Sequence, residues 1–348
     1  MSEGRKEDHV RICLGSGVEG PHSTGLARVT LQRSPVPVSM DLVDPGVELL
    51  GYRLGLPLMI ASMSGGWSLG RKLNQELAAL AERWRIGFAV GSMRPALDDP
   101  GRAADYDVKP LAPSVPVLGN LGVWQLRDRD AARRYLALCE GLGFDGVMVH
   151  VNPAHELAQP EGERDLGGAF DALREFASGS ALPVIVKEVG HGFSAETLDD
   201  LADLPIHGLD VAGAGGTNWP LVEAARCPAG STAERRALEL AREGRDTLST
   251  LLDAVPRFRG RVLIAGGGIR SAEDIAKVLG LGADLASFAA PILRRVCFED
   301  GEGQLTVDGT RADPWVETLA QDLRTLLAAA GARTVNDMRE GARVVVHA

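Results

Sequence analysis

From residue 57 onward the chain alternates between two hydrophobic patterns. Short runs of apolar and β-branched residues occupy 57–61, 86–90, 115–119, 146–150, 183–187, 208–212, 261–265 and 284–289. Among them lie longer stretches, at 70–83, 128–141, 169–177, 195–201, 232–252 and 272–279, where apolar residues return every three or four positions. A continuous apolar run suits a strand buried on both faces, and the 3.6-residue period suits a helix laid over one of them. Eight such units predict an α/β fold, a (β/α)8 TIM barrel, whose site lies where the strands end and the following loops begin. A further amphipathic helix is expected over 314–330. Residues 1–50 carry neither pattern: GSGVEGPHSTG at 15–25 and the prolines at 35, 37 and 45 predict loops. The expected division is therefore an N-terminal extension (1–50), a catalytic barrel (51–330) and a short C-terminal tail (331–348).

A chain of 348 residues with 45% hydrophobic and 24% charged residues can bury a full barrel core. The formal net charge of −10 argues against nucleic acid as a partner, because phosphate backbones demand a clustered basic face. Any anionic ligand must then be held by a few local cations. Cys13, Cys139, Cys227 and Cys297 are far apart, with no metal-ligand spacing, and read as reduced thiols. The first residues lack an apolar core of signal-peptide length and no run reaches membrane-spanning length, so a cytoplasmic protein with no membrane partner is expected.

Candidate chemistry gathers at one end of the strands. Ser62, Met63 and Ser64 follow the first strand, Ser92, Met93 and Arg94 the second, and Asn120 the third. The fourth opens into DGVMVHVNPAHELAQPEGER at 145–164, which places His150, Asn152, His155 and Glu156 within seven positions. Lys187 ends the fifth strand, Thr217 closes a glycine-rich loop after the sixth, and Gly266, Gly267 and Gly268 follow the seventh. Those three glycines, with Ala289 and Ala290 after the eighth strand, suit a phosphate site, where missing side chains let backbone N–H groups approach oxygens. Lys187 suits a flavin edge, a phosphate, a Schiff base or an ion pair. Glu156 suits a divalent cation, acid–base work or a loop anchor. For Arg5, Lys6 and His9 the ordinary reading is a solvated terminus, which composition alone does not decide.

Taken together, RKxxH at 5–9, MSGG at 63–66, GSMR at 91–94, HVNPAHELAQPEGER at 150–164, PVIVKEVGHG at 183–192, DVAGAGGTNW at 210–219 and the run from GGGIR at 266 to 293 resemble the type 2 isopentenyl diphosphate isomerases. The resemblance covers nearly the whole chain in order. It implies a homo-oligomer, a tetramer or larger, that interconverts isopentenyl and dimethylallyl diphosphate with FMN, Mg2+ and a reductant such as NADPH. Ser62, Met63, Ser64, Ser92, Asn120, Lys187 and Thr217 would line the flavin, and Gly266, Gly267, Gly268, Ala289 and Ala290 would hold its phosphate. Arg5, Lys6, His9, Ser92, Arg94, His150 and Asn152 would grip the substrate diphosphate, the N-terminal residues as a lid, with Glu156 on magnesium.

Four positions depart from that pattern. His155 stands where the family has the glutamine assigned to proton transfer, Met93 replaces another glutamine, and Ala212 and Ala214 replace a serine and an arginine. Isomerisation adds a proton at one carbon and removes one from its neighbour, and an imidazole at 155 can relay it because it titrates near neutral pH. Three readings follow: the isomerase with His155 as catalytic residue, a protonation-initiated conversion such as cyclisation of a longer prenyl diphosphate in a reshaped pocket, and a silent FMN or prenyl-diphosphate binder.

Overall fold

All eight expected apolar runs form strands of one closed parallel barrel in the computed structural model, which describes residues 2–15, 17–63 and 67–347. They are β1 (Leu58–Ile60), β2 (Gly87–Ala89), β3 (Val117–Gly122), β4 (Gly146–His150), β5 (Val184–Lys187), β6 (Gly208–Asp210), β7 (Val262–Ala265) and β8 (Leu285–Phe288). Each pairs with its successor, and β8 closes on β1 through Ala286↔Leu58, Ser287↔Met59 and Phe288↔Ile60. Only Val262 and His150 among these residues are less than fully buried. Burial on both faces is why the strands read as unbroken apolar runs rather than alternating ones.

The opposite mouth of the barrel is plugged. An antiparallel hairpin, Val47–Leu49 with Tyr52–Leu54, turns through Leu50 and Gly51, both at positive φ. Leu49 and Leu50 pack against Gly87 and Gly146, the first residues of β2 and β4. Asp145 ties this floor together: it accepts from Lys109 Nζ at 2.7 Å, from Tyr52 Oη at 2.7 Å and from the Val117 N–H at 2.8 Å. The barrel therefore opens at one end.

Three segments differ from expectation. The terminus expected as loop forms α1 (Ser2–Leu14), whose apolar contacts are confined to a narrow stripe including buried Val10 and Cys13. So narrow a stripe gives little periodic signal. Its end is capped from afar, as Arg294 donates to the Cys13 carbonyl at 2.9 Å and the Gly15 carbonyl at 2.8 Å. The stretch 232–252 divides into helices Thr232–Leu240 and Thr247–Arg257, broken at Gly244 (φ 140°) and restarted by Asp246, whose carboxylate caps the Ser249 N–H. Residues 331–347 carry a helix, Val335–Glu340, and a strand, Val344–Val346, which pairs antiparallel with Val29–Leu31. That pairing lies some three hundred residues apart in sequence, and single-segment patterning cannot show it.

Candidate active site

The C-terminal strand ends open into one cavity of about 910 Å3, at the upper end of the range for small-molecule sites. Three short elements build its wall: α1, α2 (Pro153–Ala158) and α3 (Trp219–Arg226). Pro153 starts α2 and Pro220 lies in the first turn of α3, where a missing N–H costs nothing. The Asn218 side chain caps α3 by accepting from the Leu221 N–H at 3.2 Å. On α3, Trp219 and Glu223 are one turn apart and so share a face.

Glu223 is the hub of that wall. Its Oε1 lies 2.8 Å from His9 Nε2, 2.9 Å from His155 Nε2 and 2.9 Å from Gln159 Nε2, while Arg226 donates to Oε2. Burial would raise this carboxyl, yet the hydrogen bonds from His155 and His9 prevail and hold it well below the usual range. The carboxylate is an anion at any physiological pH. His155 lies stacked on Trp219 with centroids 4.7 Å apart, and His9 meets the same indole edge-on at 5.4 Å.

A cationic group lines the cavity beside that wall. Lys6 donates to the Ser92 carbonyl at 3.4 Å, and burial, with Arg5, Arg102 and Arg94 nearby, brings its pKa down to about 7. Burial is the larger cause, and the added push of three guanidiniums marks a place where positive charge gathers, which a polyanion would relieve. His150 holds Asn120 Oδ1 at 3.0 Å from its Nδ1, and burial, then Lys187 and His155, push its pKa to about 3. It meets ligands as a neutral imidazole. Glu156 receives Asn152 Nδ2 at 3.3 Å and the Glu163 N–H at 2.9 Å.

Deeper in the chamber, Lys187 is buried and donates to the Glu188 carbonyl at 2.6 Å. Burial lowers its pKa against the pull of Asp210 and Glu188. No carboxylate lies within 4 Å of its Nζ among the described residues. Asp210 is a structural keystone there, accepting from Ser287 Oγ at 2.9 Å and the Ala212 N–H at 3.2 Å; burial raises its carboxyl. The glycines of the two adjacent loops are needed because the loops interlock. A Cβ at Gly267 (φ 93°) would lie 2.0 Å from the Gly213 carbonyl oxygen, and one at Gly216 would lie 2.6 Å from the Gly268 nitrogen.

Every residue expected at the site lines this cavity except Ser64, which lies outside the described residues. The departures from the family pattern behave differently. Ala212 lines the chamber at an unusual φ of 32°. Met93 does not: it is fully buried, with its sulfur 3.9 Å from Cys139 Sγ behind the barrel wall. Ala214 is likewise buried outside the lining, its backbone bridged to Asp246 and its methyl toward Gly244. Both were expected to reshape the pocket, and both lie in packing layers: Met93 points away from its lining neighbours Ser92 and Arg94, and Ala214 follows the turn made at Ala212. The motif reading missed Glu223, Gln159, Arg226 and Asp210. The i, i+4 spacing of Trp219 and Glu223 was the one available signal, and nothing in the sequence ties α3 to position 155.

The FMN-dependent dehydrogenase family matches residues 151–344. Similar curated proteins include the isopentenyl-diphosphate delta-isomerases of Synechococcus sp., 38% identical over 92% of this chain and 90% of the relative, and of Mycolicibacterium gilvum, 34% identical over 97% and 95%. Among solved structures, a flavocytochrome b2 variant with pyruvate bound superposes with a TM-score of 0.66 at 16% identity, covering 97% of this chain and 82% of that one. A mandelate oxidase variant gives 0.64 at 17% identity over 97% and 98%. At such identities the two structures speak to the fold alone.

Proposed function

The chain belongs to the FMN-dependent, type 2 isopentenyl-diphosphate delta-isomerases, and from that premise we propose that it interconverts isopentenyl and dimethylallyl diphosphate in this chamber. One observation carries the reading: α1 brings Arg5, Lys6 and His9 over the cavity that Arg94, His150 and His155 also line, with Arg5 on Glu161 beside Arg226. Clustered cations suit a diphosphate, and the His155–Glu223 pair suits proton exchange with an alkene.

The residues present fit the groups that the family requires. A buried Lys187 without a close carboxylate suits the electron-rich edge of a flavin, and the interlocked glycine loops leave backbone N–H groups for its phosphate. When bound and reduced, FMN supplies an electron-rich, proton-carrying face; we assign NADPH as its reductant. Glu156 would hold Mg2+, a hard ion that takes one carboxylate plus substrate oxygens. Arg94, Lys6, Arg5, Asn152 and His150 line the end of the chamber assigned to the diphosphate. His155, fixed by Trp219 and Glu223, moves a proton to or from the allylic carbon, with the Glu223 anion stabilising its charged form. The working state we propose is a cytoplasmic homo-oligomer.

Conversion of a longer prenyl diphosphate draws less support, because Met93 and Ala214 lie outside the chamber and Ala212 alone enlarges it. The test is incubation of the reduced holoprotein and Mg2+ with C5, C10, C15 and C20 diphosphates, with products identified by mass and NMR. Dimethylallyl diphosphate from the C5 substrate is expected. Conversion confined to longer substrates would transfer the assignment to cyclisation, and no conversion at all would leave a binder.

A further inference from the structure

Gln159, His155 and Glu223 meet in a way that no arrangement of protons satisfies while Glu223 is ionised. Gln159 Nε2 is 2.8 Å from His155 Nε2 and 2.9 Å from Glu223 Oε1, and those two atoms are themselves 2.9 Å apart. If His155 Nε2 carries its proton toward Glu223, the Gln159 amide N–H faces a second donor. If Nε2 is bare, two acceptors oppose each other. Turning the Gln159 amide over only exchanges one conflict for another, since its oxygen would then face the Glu223 carboxylate. His9 adds a fourth polar atom, its Nε2 2.8 Å from the same oxygen.

The conflicts around Glu223 Oε1 vanish if the lone pairs point at a cation. We propose that His9, His155 and Glu223, with the Gln159 amide oxygen, form a site for a divalent ion of borderline hardness such as Zn2+ or Co2+. The ligand atoms of His9, His155 and Glu223 lie within 4.8 Å of one another. Ligand atoms of a tetrahedral zinc site stand about 3.3 Å apart for bonds of about 2.0 Å, so side-chain shifts of a few tenths of an ångström admit the ion. Two imidazoles and one carboxylate select such a metal over Mg2+, which prefers oxygen alone. The surrounding groups are those of a built site: Arg226 holds the outer oxygen of Glu223, and Trp219 fixes the plane of the His155 ring. The ion would join α1, α2 and α3, elements distant in sequence.

This goes beyond the isomerase reading, for a metal on His155 Nε2 occupies the lone pair that proton relay would use; the two states exclude each other. The test needs no substrate. Full-length flavin-loaded protein, freed of metal by chelation, is titrated with Zn2+ and separately with Co2+ in the presence of excess Mg2+, and the retained metal is counted after desalting. About one ion per chain is expected, with the Co2+ form showing the intense visible absorption of four-coordinate cobalt above the flavin band. His155→Gln, which stays close to the family pattern and so folds, should weaken binding at least 100-fold, and His9→Gln should do the same. Flavin spectra and circular dichroism confirm that both variants are folded. No retained metal in the parent chain, or equal retention by parent and both variants, an adventitious ion only, overturns the proposal.

Discussion

His155 lies almost parallel to Trp219, at 21° and 4.7 Å, while its Nε2 reaches Glu223 one turn further along the same helix. The ring has little freedom to turn, so its chemistry is set by what it can exchange with the chamber. His155→Gln keeps a hydrogen-bonding group there but removes the imidazole, which can both take and give a proton. The expected result is retained C5 isomerisation with a changed kcat. His155→Ala should lower the rate by roughly 100-fold or more. If both variants match the parent in rate, His155 anchors a loop and relays nothing.

Lys6 gives a pH effect with a definite sign. Its pKa of about 7 lies below the ordinary lysine value, so the ammonium is present below about pH 7 and lost as the pH rises through it. The KM for the diphosphate should climb above pH 7, by up to roughly tenfold per unit. Lys6→Arg, which stays charged, should flatten that rise. Steady-state kinetics of both proteins across this range decide the matter.

Arg94 is half-exposed, and its neighbouring carboxylate, Asp98, is 4.0 Å away. Arg94→Ala should raise the KM for the diphosphate by roughly 10- to 100-fold, the loss of a charge-assisted contact of about 1.5–3 kcal/mol. Flavin content should not change. An unaltered KM would remove Arg94 from the diphosphate site.

Glu223→Gln leaves Arg226 without its buried anion and His9 and His155 without their shared acceptor. Removing one member of such a buried pair costs roughly 3–5 kcal/mol, and urea unfolding should report a loss of that order. A stability change under about 1 kcal/mol would mean that the cluster rearranges around the amide.

At Gly267 the expected defect is structural first. Gly267→Ala places a methyl where the Gly213 carbonyl stands, at a backbone conformation disfavoured for alanine. Purified variant protein should hold less FMN and melt earlier than the parent. Full flavin retention would show that the two glycine loops separate without cost.

The barrel was legible because its strands are buried on both faces: runs such as Val184–Val186 are apolar throughout, and the polar groups that end them, such as Lys187, fall at one end. The RKxxH, GSMR, HVNPAHE and glycine motifs named the family and put nearly all of the expected residues on one cavity. What patterning missed are features that arise between segments. The N-terminal helix carries only a narrow apolar stripe and is capped by Arg294, some 280 residues away. Met93 and Ala214 stand next to chamber residues in sequence but point into packing layers. Glu223 sits on a helix where only its spacing from Trp219 sets it apart. Local sequence fixes element type through hydrogen bonding and hydrophobic period, so that much can be read residue by residue. Which side chains converge on His155 depends on how α1, α2 and α3 cross the barrel mouth, and only tertiary packing decides that, because burial energy is shared among segments that the sequence keeps far apart.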